Sequence, residues 1–322
     1  MTTGTFGSAA RTGGAGPPAR PADPPPAAAA LTVRRLLNRS EPYLFVAPTA
    51  LILVAVLIYP VFYTVEISLS RFQMATFGPG DFVGLQHYRS TLADPNFWTS
   101  VRVTLVYLAA ALPIQMVLGF ALGYLLSIDW LGKSVVRALF IVPMVVAPIV
   151  AGSVWKMLLD PLWGTFSYYV GLFGVPAVNW FGTGELAMFS IVLIDTWRWT
   201  PFVILMSLAG ILGLPAEPFE AAEIDGAGPW QRLVHIAIPL LMPVILATLI
   251  VRWLNAIKMF DIIYATTKGG PSNATEVVNL YVYDVAFKLL AFDKAAAMST
   301  ILVVVSLIVT VVYVRVSAAT ER

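Results

Sequence analysis

The sequence predicts an all-α membrane protein with six transmembrane helices. Hydrophobic residues fill 58% of its 322 positions and charged residues only 12%, about half the charged share of a soluble domain. Mean hydropathy is +0.80. A helix needs about 20 mostly apolar residues to cross a bilayer, and six runs qualify: 43–68, 101–127, 137–158, 187–213, 237–265 and 295–315.

Before the first run, Gly, Pro, Ala, Ser and Thr dominate from Met1 to Ala30 without apolar periodicity. Such a stretch buries too little surface to offset its ordering entropy. The expectation is a disordered cytoplasmic tail over residues 1–40, with a transmembrane domain over 41–318. The run from Tyr43 is too long for the apolar core of a secretory signal, so it reads as an uncleaved helix.

Lysine and arginine orient the spans. With the N-terminus inside, Arg11, Arg20, Arg34, Arg35, Arg39, Lys133, Arg137, Arg232, Arg315 and Arg322 are cytoplasmic, against Arg71, Arg89, Lys268, Lys288 and Lys294 outside. The 159–186 connection carries neither residue type. Both termini are therefore expected in the cytoplasm, and the 214–236 loop with them. A net charge of +2, with no basic patch, points away from nucleic acid. Zero cysteines exclude disulfides and thiolate metal sites. His87 and His235 lie far apart in sequence and outside the spans, so no metal centre is expected.

The 214–236 loop is more specified than a connector requires. Pro215 and Pro218 end the fourth run and suit the first turn of a new helix. Glu217 and Glu220 complement its dipole there, and Ala221 and Ala222 keep its surface low. Gly226 supplies the positive φ that stops a helix, and Pro229 restarts one through Trp230 and Leu233. The pattern reads either as an interfacial connector or as a short helix standing clear of the membrane for docking.

Glu220-Ala221-Ala222, Asp225-Gly226-Ala227, Ile236 and Ile238-Pro239 together resemble the EAA loop of binding-protein-dependent ABC importer permeases. Ile238 stands where that family usually has Leu. Trp197-Arg-Trp-Thr-Pro-Phe202 with Leu208-Ala-Gly210, and Phe260-Asp-Ile-Ile-Tyr264 with Gly269-Gly-Pro271, Thr275 and Tyr281, are similar to the carbohydrate branch, of the maltose and glycerol-phosphate type. The resemblance covers about residues 40–315. It implies a type I ABC importer permease fold in a bacterial plasma membrane, with Glu220, Ala221, Ala222, Asp225, Gly226 and Ala227 coupling to an ABC ATPase dimer. It also implies a second permease subunit, most often a different chain, an extracytoplasmic solute-binding protein and a sugar substrate.

No nucleotide site is expected in the chain itself. Gly132-Lys133-Ser134 is the nearest approach to a phosphate loop, but Ser127 stands where the first glycine is needed. ATP and magnesium are expected on the partner, and the chain is expected to be no enzyme. The alternatives are a secondary transporter or channel working alone, for which inverted repeats would be the sign, and a membrane enzyme, for which ionisable residues in the spans are too sparse.

Ionisable residues within spans are functional candidates. Asp195 and Arg198, three apart, are placed to pair on one face, with Trp197 and Trp199 beside them. The group reads either as a wall of the substrate path or as a structural ion pair. Arg252, Asn255, Lys258 and Asp261 follow in the fifth run. Asn255 is the candidate sugar contact, Asp261 an outer gate and Arg252 a further path residue, each equally readable as interhelical glue. Gln115 reads as an interhelical hydrogen bond, and Gly119 with Gly123 as a close-packing pair.

Overall fold

The computed structural model describes residues 46–174 and 178–320. The expected tail over 1–40 lies outside them. The chain divides into two compact units at Pro60, and the packing below belongs to the second, from Val61 onward. Helix α1 runs Val46–Leu69. It leads into an antiparallel hairpin of β1, Ser70–Gln73, and β2, Gly78–Phe82. The short α2, Gln86–Leu92, comes next, then the long α3, Pro95–Ser127. Asp94 caps α3 by accepting from the Asn96 N–H at 3.0 Å, and Pro95 opens its first turn.

The third apolar run is not one straight helix. It forms α4, Lys133–Val145, and α5, Pro148–Leu158, bent by 103°. Pro148 forces the residue before it out of helical conformation, and Ala147 accordingly takes ψ 137° and Val146 ψ 129°. After α6, Thr165–Leu172, the fourth run is α7, Gly184–Leu212, which passes through Pro201 unbroken. Helix α8, Glu217–Ile224, forms the loop helix.

The fifth run begins earlier and ends sooner than expected. Helix α9 spans Pro229–Ala256, because the segment restarted at Pro229 continues through a π-helical turn at Leu233–Ala237 into the span. At its other end the Ile257 carbonyl is taken by Asn279 Nδ2 at 3.0 Å, and Phe260 leaves helical geometry at φ −149°. Asp261 therefore starts a separate helix, α10, Asp261–Thr266. Beyond α11, Val278–Tyr283, helix α12 runs Phe292–Thr320. Among the described residues, five helices are long and apolar enough to cross a membrane, or six with the bent α4–α5 pair as one span.

The tightest packing joins α3 to α7. A Cβ at Gly119 would lie 2.4 Å from Val203, and one at Gly123 would lie 1.9 Å from Ser207 Oγ. The two glycines let the helix backbones approach, as the small-residue spacing predicts. Ser207 Oγ also donates to the Gly119 carbonyl at 3.1 Å. Helix α10 packs on α5 in the same way, with Gly152 against Ala265 and Ile262. The main core gathers Tyr107, Leu112, Ile191, Ile194, Ile262 and Ile263 from α3, α7 and α10.

A second cluster at the hairpin end holds Phe97, Tyr281, Val285 and Met298. Beside it, Asp94 accepts from Tyr281 Oη at 2.7 Å and Lys294 Nζ at 2.6 Å. Burial pushes the Asp94 carboxyl up, but the hydrogen bonds from Lys294, Tyr281 and the Asn96 N–H outweigh it and hold the group below the usual carboxylate range. Burial first, and then the Asp94 partner, push the Tyr281 phenol up.

Candidate functional site

Two places in the chain are built for more than packing. The first is the segment between α7 and α9. Helix α8 has Glu217 and Glu220 in its first turn, Pro218 beside them, and no buried residue. It ends in a Schellman motif. Gly226 takes φ +78°, its N–H reaches the Glu223 carbonyl at 3.1 Å, and the Ala227 N–H reaches the Ala222 carbonyl at 2.8 Å. A Cβ on Gly226 would meet nothing within 4 Å, so the glycine is demanded by backbone conformation rather than by crowding.

After that stop, Gln231 Oε1 accepts from the Gly228 N–H at 2.9 Å and fixes the start of α9. Arg232 Nη1 donates to Glu223 Oε2 at 2.9 Å, tying α8 to α9. Backbone hydrogen bonds and an ion pair thus tie the loop together. Two large apolar side chains of the segment are nevertheless open, Ile224, 87% exposed, and Trp230, 74% exposed. Glu220, Ala221, Asp225 and Gly226 are exposed, while Ala222 and Ala227 are partly covered. Beneath it lies an apolar groove of about 920 Å³ between α3, α8 and α9, lined by Phe120, Tyr124, Phe219, Trp230, Leu233 and Ile238 among others.

The second place is a buried polar junction of α3, α7 and α9. Asp195 Oδ2 accepts from Tyr107 Oη at 2.7 Å, Gln115 Nε2 at 2.8 Å and Arg252 Nη2 at 3.0 Å. Arg252 Nε donates to Gln115 Oε1 at 2.8 Å, which closes the ring. The Arg252 side chain is fully buried and that of Asp195 nearly so. Arg252 Nη1 finds no acceptor among the described residues, and its guanidinium lies 4.3 Å from the centre of the Trp199 ring. A charge in such surroundings is tolerable only when paired and hydrogen-bonded.

The expected Asp195–Arg198 pair does not form. Asp195 faces the junction, whereas Arg198 turns to the bend in the third run. Arg198 donates from Nε to the Val146 carbonyl at 3.2 Å, and its guanidinium lies 5.1 Å from the Trp199 ring centre. An acceptor left open by the broken helix outcompetes a carboxylate already holding three donors. Trp197 meets Trp155 edge to face at 5.7 Å. Asn255 lies exposed on α9 and donates to the Val251 carbonyl of its own helix at 2.8 Å. Asp261 is exposed in the first turn of α10. The structure thus brings Asp195 and Arg252 together but does not join Asn255 or Asp261 to them.

Gln115 makes the interhelical bonds expected of it. Tyr107 and the Glu223–Arg232 tie escaped sequence reading. A tyrosine inside an apolar run gives no sign of its partner, and a pair nine residues apart across a turn follows no helical spacing.

Comparison with known proteins agrees with this architecture. The model of the family described as "Binding-protein-dependent transport system inner membrane component" matches residues 115–322. The chain is 36% identical over 275 residues to the trehalose/maltose transport system permease protein of Thermococcus litoralis, covering 85% of this chain and 92% of that one. It is 34% identical to the trehalose transport system permease protein of Mycobacterium tuberculosis, over 84% of this chain and 86% of the relative. Among solved structures, a chain of a bacterial ABC transporter involved in the import of the acidic polysaccharide alginate superposes with a TM-score of 0.79 at 18% identity. That match covers 90% of this chain and 100% of the other, and it shows a shared fold.

Proposed function

The chain belongs to the family of binding-protein-dependent transport system inner membrane components, and we propose that it is the permease subunit of an ATP-driven importer for a sugar or sugar-like solute. In this reading it forms part of the translocation path in a bacterial plasma membrane and binds no nucleotide itself. Both termini and the α8 loop are cytoplasmic, following the lysine and arginine distribution. An ABC ATPase dimer docks on the loop. A second permease subunit completes the path, and an extracytoplasmic solute-binding protein delivers the substrate.

The observation that carries this reading is the α8 helix. It ends in a Schellman stop and is tied to α9 by an ion pair, none of its residues is buried, and Ile224 at its end is exposed, as is Trp230 at the start of α9. A capped helix with no buried residue and large apolar side chains open beside it is suited to meeting a partner. Glu220, Ala221, Ala222, Asp225, Gly226 and Ala227 are the contacts proposed for the ATPase. The sugar class is supported by the names of the relatives, which include trehalose/maltose and trehalose permeases. Asn255, Asp261, Trp197 and Arg198 keep partly or fully exposed positions and are the path residues proposed. Asp195 and Arg252 would reach the path only if their junction opened.

The test is reconstitution in proteoliposomes with and without the ATPase subunit. Glu220→Lys and Gly226→Val are expected to leave membrane insertion intact and to abolish ATP-dependent uptake of radiolabelled trehalose or maltose. Full transport by the purified chain alone would sink the reading.

A further inference from the structure

Helices α7 and α9 flank the α8 loop, so whatever displaces the loop pulls on both of their near ends. Whether the pull moves them together depends on how they are joined along their length. They are joined at two levels. Near the loop, Gly210 of α7 lies against Leu241 and Val244 of α9, closely enough that a Cβ would sit 3.0 Å from each. Far from the loop, Arg252 of α9 binds Asp195 of α7 at 3.0 Å. Along α7 these levels are fifteen residues apart, about 22 Å at 1.5 Å per residue.

Helix α3 is also fixed to α7 at two places, Asp195 and the Val203–Ser207 turn eight to twelve residues nearer the loop. Gly119 and Gly123 seat Val203 and Ser207 on one side, and Tyr107 and Gln115 hold Asp195 on the other. Two helices touching at a single point can pivot, whereas contacts separated by about 12 Å or more along the helices oppose a change of crossing angle. The far attachment is also the directional one. An apolar contact tolerates sliding, but Asp195 with three donors loses them if any of the three helices rotates.

We infer that Asp195, Arg252, Gln115 and Tyr107 form a clasp that makes α3, α7 and α9 one rigid lever, so that displacement of the α8 loop reaches the far half of the spans without loss. These are positioning residues for coupling. The inference rests on the reading of α8 as the ATPase docking helix.

The chain contains no cysteine, so spin labels can be placed without background changes. Labels at Phe189→Cys on α7 and Val251→Cys on α9 report the far ends of the lever, where both residues are exposed. A label at the exposed Ile224→Cys reports the loop. Distances are measured in the assembled transporter, nucleotide-free and trapped with ATP and vanadate. The Phe189–Val251 distance is expected to be the same in both states. In Asp195→Asn, and in the milder Tyr107→Phe/Gln115→Leu pair, it is expected to broaden and to shift between states.

A wild-type distance that changes on trapping would overturn the lever. So would an unaltered distribution in both variants. If Asp195→Asn does not assemble, the milder pair decides. Failure of the Ile224 label to become immobilised on adding the ATPase subunit would instead count against the docking reading. Immobilisation with a wild-type lever that bends would count against the clasp alone.

Discussion

Asp195 and Arg252 meet at 3.0 Å from helices 57 residues apart in sequence, and neither side chain reaches the surface to any useful extent. Breaking such a pair leaves an uncompensated charge inside the protein. Arg252→Ala is therefore expected to cost about 3–5 kcal/mol of stability, read as a large fall in the thermal midpoint of the detergent-solubilised chain. Tyr107→Phe removes one neutral donor and is expected to cost about 1 kcal/mol. Equal losses for the two variants would contradict the hierarchy of the junction.

Gly226 tests a different kind of demand. Because a Cβ there meets nothing within 4 Å, Gly226→Ala adds only the cost of holding an L residue at φ +78°, about 1–2 kcal/mol. The loss should appear as faster amide exchange over residues 217–228 with an unchanged global midpoint. Gly226→Asn should be milder, since asparagine accepts the left-handed region more readily.

Crowding, by contrast, governs Gly123. A methyl group there would lie 1.9 Å from Ser207 Oγ, so Gly123→Ala is expected to destabilise by about 1–3 kcal/mol. Adding Ser207→Ala removes the clashing oxygen and should recover part of that loss. Additive effects of the two changes in thermal unfolding would count against direct contact.

The hairpin end should be acid-sensitive. The Asp94 carboxyl is held below its ordinary value in the folded chain, so its contribution is fully present above about pH 4, the range where an unfolded aspartate ionises. It declines as pH falls through the lower folded value. Amide exchange around Asn96 and Tyr281 should rise over that interval, and Asp94→Asn should flatten the dependence.

The class, the approximate spans and the α8 motif were legible in order of residues alone, since each depends on local chemistry. Apolar length marks a span, and a Glu-Ala-Ala run closed by Gly226 marks a short capped helix wherever it stands. The bend at Val146–Ala147 was also written locally, in Pro148, but a run of unbroken hydrophobicity concealed it. The early end of α9 was not local, because its Ile257 carbonyl is taken by Asn279 from a distant segment.

The buried polar residues show where local reading stops. Asp195 and Arg198 have ideal spacing to pair, yet each finds a better partner across the fold: Asp195 in Arg252, Gln115 and Tyr107, and Arg198 in the Val146 carbonyl. Sequence alone identified these side chains as too costly to leave unpaired within an apolar span. Only tertiary structure assigned the partners, because the favourable geometry belongs to whichever donors and acceptors three packed helices bring to one depth.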